Sequence, residues 1–296
     1  MPMIQTRPAS TEEAGTVTVG GFPCSYRLLR QPHARTEPLV LLGGALQDKY
    51  AWAPTEPTFH AVADVLTIDL PGWGDSPVLP ARYDFGFLSD ALAVALDHAG
   101  IHRANVIGAC YGGITAYTFA ARHPDRVARL GLASLQDGLT DEARAAFEHA
   151  VHALRRGDVD TFVGTVVDLY LPPSACAADR RRTAIARVLR SQLHGLTPRA
   201  LGNYIEGTLR LLDFRPAWRP LPLPVLVLNG EQDTFTPPRG GRRLAGAMDA
   251  DFGLIAGAGH MLGLERPVET AERLAAFVTG NRTTGTVLPQ RSGGRA

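Results

Sequence analysis

Val106-Ile107-Gly108-Ala109-Cys110-Tyr111-Gly112-Gly113 runs an apolar strand into a glycine-flanked cysteine and on into a helix. A turn of the form G-x-nucleophile-x-G needs glycine on both sides, because the central residue takes a strained backbone conformation at a tight corner where a neighbouring Cβ would clash. Such a corner exposes the central side chain. It also sets it at a helix N-terminus, where the positive end of the helix dipole favours a thiolate. Cys110 is therefore read as a nucleophile. Cys24 and Cys176 have no such setting and are read as small inert side chains.

Outward from this corner the chain alternates. Short runs rich in Val, Ile and Leu occur at Thr16 to Val19, Tyr26 to Leu29, Leu39 to Leu42, Val65 to Leu70, Asn105 to Ile107, Val127 to Leu132, Val225 to Leu228 and Phe252 to Ile255. Bounded by Gly, Pro and Asp, they read as strands buried on both faces of a sheet. Helical periodicity fills gaps between them at Phe85 to Gly100, Tyr111 to His123, Pro238 to Met248 and Val268 to Thr279. This order predicts an α/β fold, a mostly parallel eight-stranded sheet with helices on both faces. From residue 139 to 218 the strands stop, and helical stretches at Asp141 to Arg155, Val159 to Leu169, Ala177 to Leu193 and Pro198 to Leu212 predict an inserted helical cap. The expected organisation is a core of residues 15–138 and 219–280, a cap of 139–218, and disordered tails at 1–14 and 281–296.

Composition narrows the function. With 296 residues, 45% of them hydrophobic, the chain can bury one large core. Its 30 basic and 29 acidic residues are dispersed and leave a net charge of +1, so no basic block suits a run of phosphates and nucleic acid is excluded as a partner. No stretch reaches the ~18 apolar residues of a membrane span, and the N-terminus lacks a signal-peptide core. Three scattered cysteines form no disulfide framework or C-x-x-C pair, which suits a reducing, cytoplasmic setting.

With these elements in place, the stretch around Cys110 resembles the nucleophile elbow of the α/β-hydrolase superfamily, with cysteine where serine is usual. Three further segments are similar to that family. Asp69-Leu70-Pro71-Gly72-Trp73-Gly74-Asp75-Ser76 resembles its D-x-P-G-x-G-x-S loop, Gly230 to Pro237 its acid-bearing G-x-x-D-x-x-x-P segment, and Gly257-Ala258-Gly259-His260 with Glu265-Arg266-Pro267 its histidine loop. The resemblance covers about residues 15 to 280, in the order nucleophile, acid, histidine. It implies a triad of Cys110, His260 as base and Asp233 as the acid that orients it, with Asp137 as the alternative acid. It also implies an oxyanion hole from the N–H groups of Tyr111 and Ala45. The family's His-Gly start of the latter loop is replaced by Gly43-Gly44, which removes a bracing side chain. Gly44, Leu46, Trp73, Phe235 and Met261 are the expected pocket residues.

Other histidines carry less. His98 with His102 and His149 with His152 have spacings a metal could bridge, but no carboxylate completes either set, so no metal is expected. No G-x-G-x-x-G turn opens a helix, so no dinucleotide cofactor is expected either. Phe147, Phe162, Val166 and Tyr170 in the cap are candidate pocket residues, with packing onto the core as the favoured role, and Tyr50 and Trp52 lie on loops near the pocket. Cysteine at the elbow resembles dienelactone hydrolases, polyhydroxyalkanoate synthases and chain-releasing thioesterases, and the capped length is more like that of a biosynthetic thioesterase or acyltransferase, or a small-molecule ester hydrolase. The expected substrate is a small-molecule or carrier-bound, mostly apolar acyl group. Hydrolysis, acyl transfer to another acceptor and a non-catalytic binding protein on the same scaffold all remain open, as does the oligomeric state.

Overall fold

The computed structural model describes residues 11–281. Eight strands form one sheet: β1 (Thr11–Val19), β2 (Phe22–Arg30), β3 (Leu39–Leu42), β4 (Val65–Asp69), β5 (Ala104–Ala109), β6 (Val127–Ala133), β7 (Val225–Gly230) and β8 (Asp251–Ile255). Their spatial order is β1-β2-β4-β3-β5-β6-β7-β8, with β1, β2 and β4 joined antiparallel and the remaining pairs parallel. This is the α/β-hydrolase fold, with an eight-stranded, mostly parallel sheet flanked by helices. The apolar runs behave as the physics of a doubly covered sheet demands. Val40 and Leu42 join one core with α2 (Phe85–His98), α3 (Tyr111–Arg122) and α9 (Pro238–Met248). Leu39 and Leu41 join the opposite core with α1 (Glu56–His60) and α11 (Pro267–Val278). All four residues are at most 2% exposed, and burying each stabilises the fold by roughly 1.5–3 kcal/mol.

Between β6 and β7 lie only helices: α4 (Asp141–Arg155), α5 (Val159–Tyr170), α6 (Pro173–Ala178), α7 (Arg180–His194) and α8 (Pro198–Asp213). Four start on a side chain that accepts an orphan backbone N–H: Thr140 from Ala143, Asp158 from Thr161, Asp179 from Arg181 and Thr197 from Ala200. Each such bond stabilises its helix by about 1 kcal/mol. The helices share an apolar cluster of Phe147, Phe162, Val166, Tyr170 and Tyr204, which closes onto Phe235, Leu46, Cys110 and Met261 of the core. Arg210 of α8 pins the insertion down, donating to the carbonyls of Leu79, Pro80 and Tyr83 and to the Tyr111 hydroxyl.

Three expectations change. Thr11 to Ala14 are not a tail but the start of β1, where Glu12 pairs with Arg27 and Glu13 with Arg30 on the neighbouring strand. Residues 1–10 and 282–296, also expected as tails, lie outside the described residues. Asn281 bonds back through its N–H to Ala276 and closes α11 rather than opening a tail. The single helix expected over Ala177 to Leu193 is two helices, broken at Asp179, whose extended backbone caps α7. No helix among the described residues is long and apolar enough to cross a membrane.

Candidate active site

Cys110 stands between β5 and α3 with φ +50° and ψ −116°, a region that costs a non-glycine residue on the order of 1–3 kcal/mol. The flanking glycines are required by contact. A Cβ on Gly108 would collide with the Gly112 carbonyl, and one on Gly112 would collide with the carbonyls of Gly43 and Leu42. The bond from the Cys110 N–H to the Ala133 carbonyl, 2.9 Å, holds the corner against β6.

His260 follows β8 and lines the same cavity wall as Cys110, and its Nδ1–H donates to Asp233 Oδ2 at 3.0 Å. Asp233, after β7, is buried and fully engaged. Its Oδ1 accepts the N–H groups of Phe235 and Thr236, each at 2.9 Å, and its Oδ2 accepts the Thr236 hydroxyl. Burial opposes the carboxylate charge, but the His260 imidazole and the Thr236 donors outweigh it and hold Asp233 below the usual range. Burial likewise opposes the imidazolium. The charges of Asp233 and Cys110, with the hydrogen bond to Asp233, overcome that and push His260 up to about 10. Asp137, the alternative acid, is taken by Arg243 at 2.7 and 2.9 Å.

The loop after β3 carries the second half of the site. Gln47 Oε1 accepts the Gly44 N–H at 2.6 Å, and the Gln47 N–H donates to the Gly44 carbonyl at 3.2 Å, so glutamine braces a loop that lacks the family histidine. Lys49, the only lysine in the chain, ties the same loop to β4 through Asp69, by its backbone N–H at 2.7 Å and its ammonium at 2.6 Å. Leu46 holds φ +66°. Neither the Ala45 nor the Tyr111 N–H has an acceptor among the described residues. The Tyr111 ring turns away from the site, against Trp73 and Phe85 at 5.0 and 4.9 Å between centroids.

These groups border a cavity of about 620 Å3. Gly44, Ala45, Leu46, Cys110, His260 and Met261 line it, together with Tyr50 and Trp52. Trp73 and Phe235 do not. Trp73 faces a separate cavity of about 190 Å3, and Phe235 is buried behind His260, edge-on to its ring at 4.6 Å. Several residues were missed by sequence reasoning. Gln47 braces the loop, Ser134 donates to the His260 carbonyl at 2.7 Å, and Leu189 and Gln192 of α7 close the cavity from above. Tyr170, a candidate pocket residue from the cap for which packing is the favoured role, lines the cavity. Ser134, Leu189 and Gln192 belong to no local motif, whereas the missing brace of the Gly43-Gly44 loop was the signal that could have pointed to Gln47.

His98 shares a hydrogen bond with the Tyr26 hydroxyl at 2.9 Å, a structural use. Among the described residues no group of three or more His, Cys, Asp or Glu could hold a metal ion.

Comparison with known proteins agrees with this fold. Residues 37–166 match the family model described as alpha/beta hydrolase fold. The pimeloyl-[acyl-carrier protein] methyl ester esterase of Neisseria meningitidis serogroup B is 31% identical over 220 residues, 71% of this chain and 81% of that protein. Among solved structures, the α/β-hydrolase enzyme MGS-M2 from a Medee basin deep-sea metagenome superposes with a TM-score of 0.80 at 19% identity, over 92% of this chain and 99% of that one. The enol-lactonase of Burkholderia xenovorans LB400 gives 0.78 at 23% identity, over 90% of this chain and all of its own, 100%.

Proposed function

The chain belongs to the α/β-hydrolase family, and from that premise we propose that it is a cysteine-dependent acyl-transfer enzyme acting on esters or thioesters through a Cys110–His260–Asp233 triad. The observation that carries the reading is the imidazole of His260, bonded to Asp233 at 3.0 Å and sharing with Cys110 the wall of one cavity. With His260 raised to about 10 by Asp233 and Cys110, the imidazole is suited to take the thiol proton and hold it beside the sulfur. The thiolate adds to the substrate carbonyl, and the oxyanion that forms accepts the N–H groups of Tyr111 and Ala45. As the tetrahedral adduct collapses, His260 gives its proton to the departing alcohol or thiol, leaving the acyl group on Cys110 as a thioester. Water, or another acceptor, then loses a proton to His260 as it attacks, which frees the acid or the new ester or amide and restores the pair.

The cavity wall favours a neutral, mostly apolar acyl group. Its lining includes Leu46, Trp52, Leu189, Met261 and Leu262, and no lysine or arginine. A free carboxylate on the acyl chain would find no cation there except the His260 imidazolium itself. A small molecule or a carrier-delivered acyl chain both fit this description, and three free cysteines suit a reducing compartment. Wild type and Cys110→Ala incubated with activated esters and acyl thioesters of increasing chain length test the reading by intact mass. Acylation of the wild type alone is expected. No adduct on Cys110 with any chain length sinks the proposal and favours a binding protein on a hydrolase scaffold. Product mass in the presence of amines, alcohols and thiols then separates hydrolysis from transfer.

A further inference from the structure

Glu265 ends the short helix α10 (Leu262–Glu265), fully buried at 0% exposure. Its Oε2 accepts the Gly259 N–H at 2.8 Å and its Oε1 the Met261 N–H at 3.0 Å, so one carboxylate grips the backbone on both sides of His260. The charge of that carboxylate is met by a residue of the insertion. Arg182 of α7, 3% exposed, donates Nε–H to Glu265 Oε2 at 2.5 Å, one Nη–H to Gln232 Oε1 at 2.8 Å and the other to the Gly257 carbonyl at 2.9 Å. Gln232 immediately precedes Asp233. A single guanidinium therefore spans the loops of both the histidine and its acid.

Energetics do not explain this arrangement as a stabilising device. Each buried charge costs several kcal/mol of lost hydration, and apolar residues of the same volume commonly hold such a site equally well or better. The fixed, five-donor geometry of a guanidinium does something a hydrophobic plug cannot, which is to set the spacing of three acceptors on two loops. Arg182 also sits in the first turn of α7, where the helix dipole disfavours a cation, so its position is taken against local preference.

We propose that Arg182 and Glu265 are positioning residues, which set His260 and Asp233 against Cys110 and make the seating of α7 a condition for an assembled triad. The proposal rests on the reading of Cys110 and His260 as a thiolate–imidazolium pair. Around that pair the titratable or charged groups are Asp233 after β7, Tyr170 on α5, Tyr204 on α8, Asp48 on the cavity wall, and Arg182 and Glu265 themselves.

The test uses the full chain and needs no knowledge of the substrate. The rate of alkylation of Cys110 by iodoacetamide is followed against pH, with peptide mass mapping to separate it from Cys24 and Cys176. The variants are His260→Ala, Glu265→Gln, Arg182→Met and the double variant Arg182→Met/Glu265→Gln, each checked by circular dichroism and thermal melting. At neutral pH Glu265→Gln and Arg182→Met are expected to slow alkylation at least about tenfold, the loss that one unit of thiol pKa brings. At alkaline pH, where the thiolate forms unaided, their rates return to that of the wild type. The double variant, with no unpaired charge left, is expected to melt above Arg182→Met yet alkylate as slowly, which separates positioning from stability. Wild-type alkylation profiles in variants that melt lower overturn the proposal and reduce the pair to a latch for α7. A wild-type profile in His260→Ala as well overturns the thiolate–imidazolium reading on which it stands.

Discussion

Tyr170 lies nearly flat against the imidazole of His260, with 5.1 Å between ring centroids and 16° between planes. With Phe235 edge-on to the same ring, the imidazole is held between two aromatic side chains, one from the insertion and one from the core. Such contacts contribute roughly 0.5–1.5 kcal/mol each beyond area burial. Tyr170→Phe keeps the ring and should melt within about 0.5 kcal/mol of the wild type, since the hydroxyl has no partner among the described hydrogen bonds. Tyr170→Leu loses the stack and should cost about 1–3 kcal/mol in denaturant unfolding and about tenfold in kcat. Equal unfolding midpoints for the two variants would remove the stack from the account.

The ionic pair predicts a pH dependence of stability with a definite sign. His260 is raised from 6.5 to about 10, so its contribution is complete below pH 6.5 and is lost as pH rises through about 10. Asp233 is lowered from 3.8, so its contribution is complete above pH 3.8 and is lost as pH falls through its depressed folded value. The stability difference between wild type and His260→Ala should therefore be widest near pH 4 to 6.5 and shrink steadily toward about 10. Denaturant melts of both proteins across that range check it, and a difference that grows with pH contradicts the pairing.

Gln47 takes over a task that the family assigns to histidine. Its side chain fixes the Gly44 N–H and thereby the peptide that presents Ala45. Gln47→Leu frees that turn and is expected to lower kcat by about 10–100-fold, short of the ~100–1000-fold of losing an oxyanion donor outright, with little change in unfolding midpoint. Gln47→Glu should fall between, because its carboxylate still accepts the N–H but places a charge on the cavity wall. Burst-phase acylation kinetics separate these effects from acceptor attack.

What could be read in advance divides along a physical line. Leu39 to Leu42, Val225 to Leu228 and the glycines around Cys110 declare themselves because burial on both faces and a strained corner each demand particular neighbours in sequence. Glu12 and Glu13 gave no such sign. They stand opposite Leu29 and Leu28 on β2 and reach Arg27 and Arg30 diagonally, and a polar edge strand has no apolar alternation to show. The partnership of Arg182 with Glu265 spans 83 residues and is set by how α7 seats, not by any local pattern. Trp73 and Phe235 show the limit in reverse. Both are close in sequence to site residues, and packing turns both away from the cavity, one toward Tyr111 and one behind His260.

The cost of the elbow can itself be measured. Cys110 holds φ +50° with a Cβ, kept there by its N–H bond to the Ala133 carbonyl and the Gly113 N–H bond to its own carbonyl, in a corner so tight that Gly108 and Gly112 admit no Cβ. Cys110→Ala and Cys110→Gly both lack the thiol and should both be inert toward acylation. They differ in the Cβ alone. In most folded positions glycine is the less stable of the two by about 0.5–1 kcal/mol, through its larger loss of freedom on folding. At this corner the order should invert, with Cys110→Gly unfolding at higher denaturant by about 1 kcal/mol, because relief of roughly 1–3 kcal/mol of backbone strain exceeds the entropy term. Equilibrium unfolding of the two variants decides it: if alanine is the more stable, the corner is not strained, and the glycines on either side serve the fit of α3 against β3 instead.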